Sequence, residues 1–325
     1  MKGALVLTAL LAALSMLSIL WGEVRVPPGD LWRGLITGEG PGALTVRVLR
    51  GPRLATALGA GAALGLSGAI FQTLLRNPLA APDVMGFNAG AGLAVIATLA
   101  AGLTLPMPLV AAAGGVAAAL LVAVLGHRKG QADTALTLIL VGLGVGFTAT
   151  GLATFLSLTI SDALAIEARR WITGSLAARS WLHAGQVWGM GLVLCLLLAV
   201  QARALGLLEL GRDLATGLGL NAARARAGLL ATGVLLAAAG VAVAGPVPFV
   251  ALMAGPLGRG LTGARSPALR LAAAAGAGAA IMAAADLVAR SALPGIQFPV
   301  GVMTGILGAP YLLWLLSRAF GKGEA

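Results

Sequence analysis

Ten apolar stretches, each near the length that crosses a bilayer, follow one another along this chain with little between them. They lie at about Ala4–Trp21, Leu54–Leu75, Val84–Leu105, Leu109–Leu125, Thr134–Leu158, Val187–Ala204, Ala227–Ala244, Pro248–Leu261, Leu271–Ala289 and Val300–Phe320. A hydrocarbon core about 30 Å thick needs about 20 apolar residues of helix, and every backbone polar group in it must be satisfied within the segment. Charged residues are only 10% of the 325, against about a quarter in soluble domains. A soluble globular enzyme and a disordered chain are both excluded. The expected fold class is an all-α integral membrane protein, a single transmembrane domain over residues 1–325 with ten spanning helices. The eighth stretch is short and broken by glycine and proline, and alanine and glycine give the eighth and ninth weak hydropathy. Lys2 followed by Ala4–Leu20 has the outline of a signal peptide, but no small-x-small cleavage site follows. It is read as a retained first span.

Ten spans put both termini on one side. If that side is the cytoplasm, thirteen Lys and Arg fall inside and nine outside, which the positive-inside rule favours. The nine outer arginines then need a reason of their own. The net charge of +11 is scattered between apolar runs without a basic stripe or interleaved aromatics, so nucleic acid is not an expected partner. Membrane lipid is. One cysteine (Cys195) and two distant histidines (His127, His183) make a poor transition-metal site. No metal or cofactor is expected on the chain.

Small residues recur four apart at Gly61/Gly65, Gly86/Gly90, Gly142/Gly146, Gly185/Gly189 and Gly301/Gly305, which lets helices approach closely in lipid. Gly22–Arg53 and Ser161–Gln186 form two longer outer loops, the first with an amphipathic patch at Asp30–Ile36. Leu205–Arg226 is a polar inner stretch. It reads as two short helices joined by a turn near Gly217–Gly219, with Asn221 as a helix cap.

No Gly-x4-Gly-Lys-Ser/Thr loop, His-Glu-x-x-His or Gly-x-Ser-x-Gly is present, so the chain has no ATP site of that kind and no catalytic site residues are expected. Ion-coupled transporters keep an ionisable residue inside the membrane. Asp286 is the nearest candidate, and its spacing to Arg290 favours a structural pair on one helix face. A transporter built this way takes its energy from a partner. In the run 74–86, Pro78 and Pro82 end one helix and delay the next, with Asn77 placed to satisfy freed backbone. Ala254–Arg259 reads as a counterpart that breaks the eighth helix, and the pair hints at two inverted five-helix halves.

These residues resemble a known family. Arg50-Gly-Pro-Arg53, Gly65–Gln72, Arg76-Asn-Pro-Leu-Ala80 with Pro82–Gly90, Trp171–Leu176, Ala215–Gly219, Gly245–Val250, Ala285–Arg290, Phe298–Val302 and Gly308-Ala-Pro310 are similar to the permease subunits of bacterial importers for iron–siderophore, haem and vitamin B12. The likeness covers nearly the whole chain, and Asn77–Gly90 is most like the ferric-enterobactin branch. Gly255-Pro256 departs from the family's usual Pro-His, or Pro-Gln in some members.

The resemblance implies a ten-helix subunit paired with a second permease, identical or paralogous. Two ATPases carrying ATP and Mg sit beneath it, and a periplasmic binding protein docks above. It implies that Arg50, Arg53 and Arg290 meet acidic residues of the binding protein. Lipid-headgroup anchoring, or for Arg290 pairing with Asp286, is the other reading. Asn77 and Leu79, with Thr134 and Leu136 nearby, match a cytoplasmic gate. Arg212, Asp213, Ala215, Gly217, Leu218 and Gly219 match an ATPase-coupling segment within 205–226. The expected cargo is a ferric siderophore. Cobalamin or haem is the alternative, and an ion-coupled transporter or membrane enzyme is less favoured because no intramembrane carboxylate set or polar catalytic cluster is evident.

Overall fold

The computed structural model describes residues 2–22, 26–126, 135–293 and 295–321. Fourteen α-helices are found among them. They are α1 Lys2–Leu20, α2 Pro28–Thr37, α3 Gly40–Leu44, α4 Arg50–Leu75, α5 Phe87–Ala100, α6 Met107–Gly126 and α7 Ala135–Ser157. The rest are α8 Asp162–Ile172, α9 Trp181–Glu209, α10 Arg212–Gly217, α11 Ala222–Ala244, α12 Val250–Thr262, α13 Pro267–Ser291 and α14 Val300–Gly321. The one β pairing among the described residues is an isolated bridge between Leu293 and Ile296.

Each apolar stretch read from the sequence falls on one helix. Seven of the described helical stretches are long and apolar enough to cross a membrane. α5 and α12, at 14 and 13 residues, are not. At 1.5 Å per residue each is about 20 Å long, short of a hydrocarbon core.

α4 is the axis of the bundle. Its small residues let α13, α11, α12 and α9 approach on all sides, and most of its length is buried. A Cβ at Gly61 would meet the backbone of Gly278 in α13, so close approach there depends on glycine at both positions. Ser67 adds polar glue, its hydroxyl donating to the Gly233 carbonyl of α11 at 2.7 Å. α1, α7 and α9 lie at the perimeter and expose apolar side chains such as Phe147, Phe155, Leu192 and Val200. That surface suits lipid or another apolar partner.

Two irregular segments interrupt the helices and are pinned together. Residues 76–86 follow α4, and Gly86 packs against Gly142 and Gly146, about two to three turns into α7. Residues 245–249 separate α11 from α12 and place Phe249 at φ +67°. The Asp83 carboxylate accepts from the Phe249 backbone N–H and from Asn88 Nδ2 at 2.8 Å. Non-helical backbone is tolerated at membrane depth only where protein covers it and its polar groups are met.

Two sequence expectations need correction here. Ala254–Arg259 does not break a helix: α12 runs through Pro256 to Thr262, and the interruption lies at 245–249. The turn expected near Gly217–Gly219 is present between α10 and α11, but Leu205–Arg226 is not two short helices. Its ends belong to the long α9 and α11, and only α10 and its flanking turns stand apart.

Candidate functional sites at the two ends of the bundle

At the end where α1 stops, three arginines converge on one carboxylate and one helix terminus. Arg53 Nε donates to Asp286 Oδ1 at 2.9 Å, and its Nη1 reaches Gln297 Oε1 at 3.2 Å. Arg290 Nε lies 3.5 Å from Asp286 Oδ2. Asp286 is 1% exposed and Arg290 8%. A carboxylate so buried needs partners, and it has two guanidiniums.

The remaining donors cap α1. Arg290 donates from Nη1 to Trp21 O at 2.7 Å and from Nη2 to the Ser18 carbonyl and to Ser18 Oγ. Arg50 Nη1 reaches Ile19 O at 2.7 Å and Leu20 O at 3.2 Å. The last carbonyls of a helix have no intrahelical donor and carry its negative dipole end, so cations belong there. The structure thus brings together Arg50, Arg53 and Arg290. It confirms the Asp286–Arg290 pairing and adds Arg53, which lies 233 residues from Asp286 and shares no local pattern with it. The Arg53 side chain keeps 14% exposure at the rim, whereas that of Arg290 keeps 7%. Nearby, outside the spanning helices, Arg179 lies 5.7 Å over the Trp171 ring and donates to Ser175 O. Burial lowers its pKa.

The opposite end of α4 holds the irregular turn. Arg76 takes a left-handed conformation, φ 49°, as the C-cap of α4. Asn77 Oδ1 then accepts the Leu79 N–H at 2.8 Å, fixing the turn that two prolines impose. Asn77 and Leu79 are half-buried there. Ala80 and Met85 pack against Leu138 of α7. Leu136, two residues earlier, is 64% exposed. Thr134 lies outside the described residues.

The Gly255-Pro256 pair finds its explanation beside this turn. Pro256 has no N–H, so the Leu252 carbonyl one turn earlier loses its helical donor. Gln72 of α4 replaces it, Nε2 donating to Leu252 O at 2.9 Å. A Cβ at Gly255 would overlap the Gln72 amide oxygen. Glycine makes room for the side chain that proline makes necessary.

α10 projects beyond the bundle as an exposed, partly apolar helix. Ala215 is fully buried and anchors it. Arg212, Asp213, Gly217, Leu218 and Gly219 are exposed. Asn221 caps α11, its Oδ1 accepting from Arg224 N at 3.1 Å. Leu210, Leu214 and Leu218 are 55%, 62% and 61% exposed at four-residue spacing. Leu210 and Leu214 were not singled out in the sequence, although that spacing was visible.

A model described as the FecCD transport family matches residues 10–318. The chain is 38% identical over 320 residues to the ferric enterobactin transport system permease protein FepG of Escherichia coli, covering 96% of each. It is 37% identical to the Fe(3+) dicitrate transport system permease protein FecD of the same organism, covering 98% of this chain and 99% of that one. Against the vitamin B12 import system permease protein BtuC of Yersinia enterocolitica it is 34% identical, covering 95% and 91%. Among solved structures, a metal-chelate type ABC transporter in an inward-facing conformation superposes with a TM-score of 0.82 at 26% identity, covering 98% of this chain and 99% of that one.

Proposed function

The chain belongs to the FecCD transport family, and on that footing we propose that it is the permease subunit of an ATP-binding cassette importer carrying a ferric siderophore across the cytoplasmic membrane. The observation that carries the cargo is its near full-length similarity to permeases named for ferric enterobactin and ferric dicitrate. The working unit pairs two permeases over two ATPases that hold ATP and Mg, with a periplasmic binding protein delivering cargo. Its ten apolar helices form two inverted five-helix halves with both termini in the cytoplasm.

Residues 205–226, centred on α10, couple the ATPase to the bundle. Helix α10 is joined to α9 and α11 by short turns, so displacing it moves both helices. Its exposed leucines with Arg212 and Asp213 make an apolar patch with a polar rim, as a partner's cleft requires. Asn77 and Leu79, together with Thr134 and Leu136, form the cytoplasmic gate that this motion opens and closes. At the other end, Arg50 and Arg53 present positive charge at the rim to carboxylates of the binding protein. Arg290 belongs to the same docking site and acts through Asp286, because it is buried behind the rim.

The test is uptake of labelled ferric siderophore, cobalamin and haem by right-side-out vesicles holding the assembled importer, with ATP inside and the binding protein either present on or absent from the outer, donor side. Ferric siderophore uptake that needs both ATP and binding protein supports the reading. Uptake of cobalamin or haem alone would replace the cargo, and ATP-independent uptake would overturn the class.

A further inference from the structure

We propose that a cavity at the inner end of α4 is a binding site for a phosphate group, supplied by an anionic phospholipid of the inner leaflet. The cavity has a volume of about 300 Å³, the liquid volume of about ten waters. Arg76, Arg259 and Arg270 line it with Gln72, Asn77 and a single acid, Glu209. Three guanidiniums against one carboxylate leave two formal positive charges around a half-open cavity, with Arg76 and Arg259 exposed.

The internal bonds do not discharge that surplus. Arg270 pairs with Glu209 through Nη2, and its Nε is buried with no hydrogen-bond partner among the described residues. Arg76 Nη2 is held by the carbonyls of Glu209, at 3.2 Å, and Leu208, which orient it but carry no net charge. Arg259 is exposed at the mouth and makes no ion pair among the described residues. Buried donors without acceptors are costly, and guanidinium forks match phosphate oxygens in pairs. The ligand is therefore an oxyanion.

Two features favour a lipid as its source. The cavity sits where α4, α9 and α12 end and α13 begins, and basic pockets between helix ends on the cytoplasmic side suit phospholipid headgroups. Leu261 and Leu269, on the same helix ends as Arg259 and Arg270, are 42% and 61% exposed and give those ends apolar surface that acyl chains can cover.

The experiment uses the assembled importer in nanodiscs of phosphatidylcholine, with and without cardiolipin, and native mass spectrometry to count retained lipid. Wild type should retain cardiolipin and gain thermal stability from it by mass action. Arg259→Gln should lower that affinity about tenfold, the loss expected of one charge-assisted hydrogen bond. Arg270→Gln should do the same, and because it also breaks the Glu209 pair, Arg259→Gln is the decisive variant. Inorganic phosphate, titrated in neutral nanodiscs, distinguishes the sources: protection by millimolar phosphate that Arg259→Gln abolishes would keep the oxyanion site and replace the lipid by a soluble ion. Equal cardiolipin retention by wild type and Arg259→Gln overturns the site. So does Arg259→Gln releasing the ATPase subunits while lipid retention is unchanged, since the cavity would then receive a carboxylate of that partner.

Discussion

The side-chain amide of Gln72 donates to the Leu252 carbonyl that Pro256 leaves without a helical partner. One contact thus ties the centre of the bundle to the short helix after the second interruption. It makes three positions interdependent: proline creates the need, glutamine meets it, and Gly255 makes room.

A double-mutant cycle tests this dependence. Gln72→Leu leaves a buried carbonyl unsatisfied and should cost about 1–3 kcal/mol. In the Pro256→Ala background the helix regains its own N–H, and the same substitution should cost well under about 1 kcal/mol. Thermal unfolding of the four proteins in detergent measures the coupling. Equal costs in both backgrounds would mean that the contact is incidental.

The buried charge cluster predicts an asymmetric response. Asp286→Asn strips the carboxylate from two guanidiniums, Arg53 and Arg290, and should destabilise by about 3–5 kcal/mol. Adding Arg290→Gln removes one stranded charge but also the cap on α1, so the double variant should lose clearly less than the sum of the two single losses. Unfolding midpoints of the single and double variants check this. An additive double variant would show that Asp286 and Arg290 do not share charge.

How much of this was legible in the sequence follows from the range of each interaction. Hydropathy reports desolvation residue by residue, so Ala227–Ala244 and Leu271–Ala289 located α11 and α13 to within a few residues. It weakens where polar residues enter and a helix does not, and so the stretch ended at Ala204 while α9 runs on to Glu209. Asn221 was readable as a cap because capping is local. Pro256 read as a break because its compensating donor comes from Gln72, 180 residues away. Arg290 was paired with Asp286 from four-residue spacing, while Arg53 reaches the same carboxylate only through the packing of α4 on α13.

The coupling assignment predicts loss of transport without loss of the bundle. Leu214→Asp with Leu218→Asp places charge on the exposed ridge of α10, touching none of the buried core. Gly217→Pro removes a backbone donor at its last turn. Both should abolish uptake and weaken retention of the ATPase subunits, with the permease's own unfolding midpoint within a few degrees of wild type. Normal uptake in both variants would reduce α10 to an ordinary surface turn.

Docking of the binding protein makes the most discriminating prediction, because the three arginines are not equivalent. Arg50 and Arg53 are half-buried at the rim, whereas Arg290 is buried behind them with its donors on Ser18 and Trp21. Rim charges govern association rate and its salt dependence. Arg50→Gln with Arg53→Gln should therefore slow binding-protein association about tenfold at low salt and flatten its dependence on ionic strength. Neutral glutamine is the right probe, since a glutamate at 53 would sit against Asp286 and confound docking with repulsion. Arg290→Gln should act differently. It uncaps α1 and lowers the unfolding midpoint while changing the salt slope less. Surface-bound permease complex, titrated with binding protein across a salt series, separates the two responses. If the rim variant keeps wild-type association rate and salt slope, Arg50 and Arg53 serve only α1 and Asp286, and the docking surface lies elsewhere.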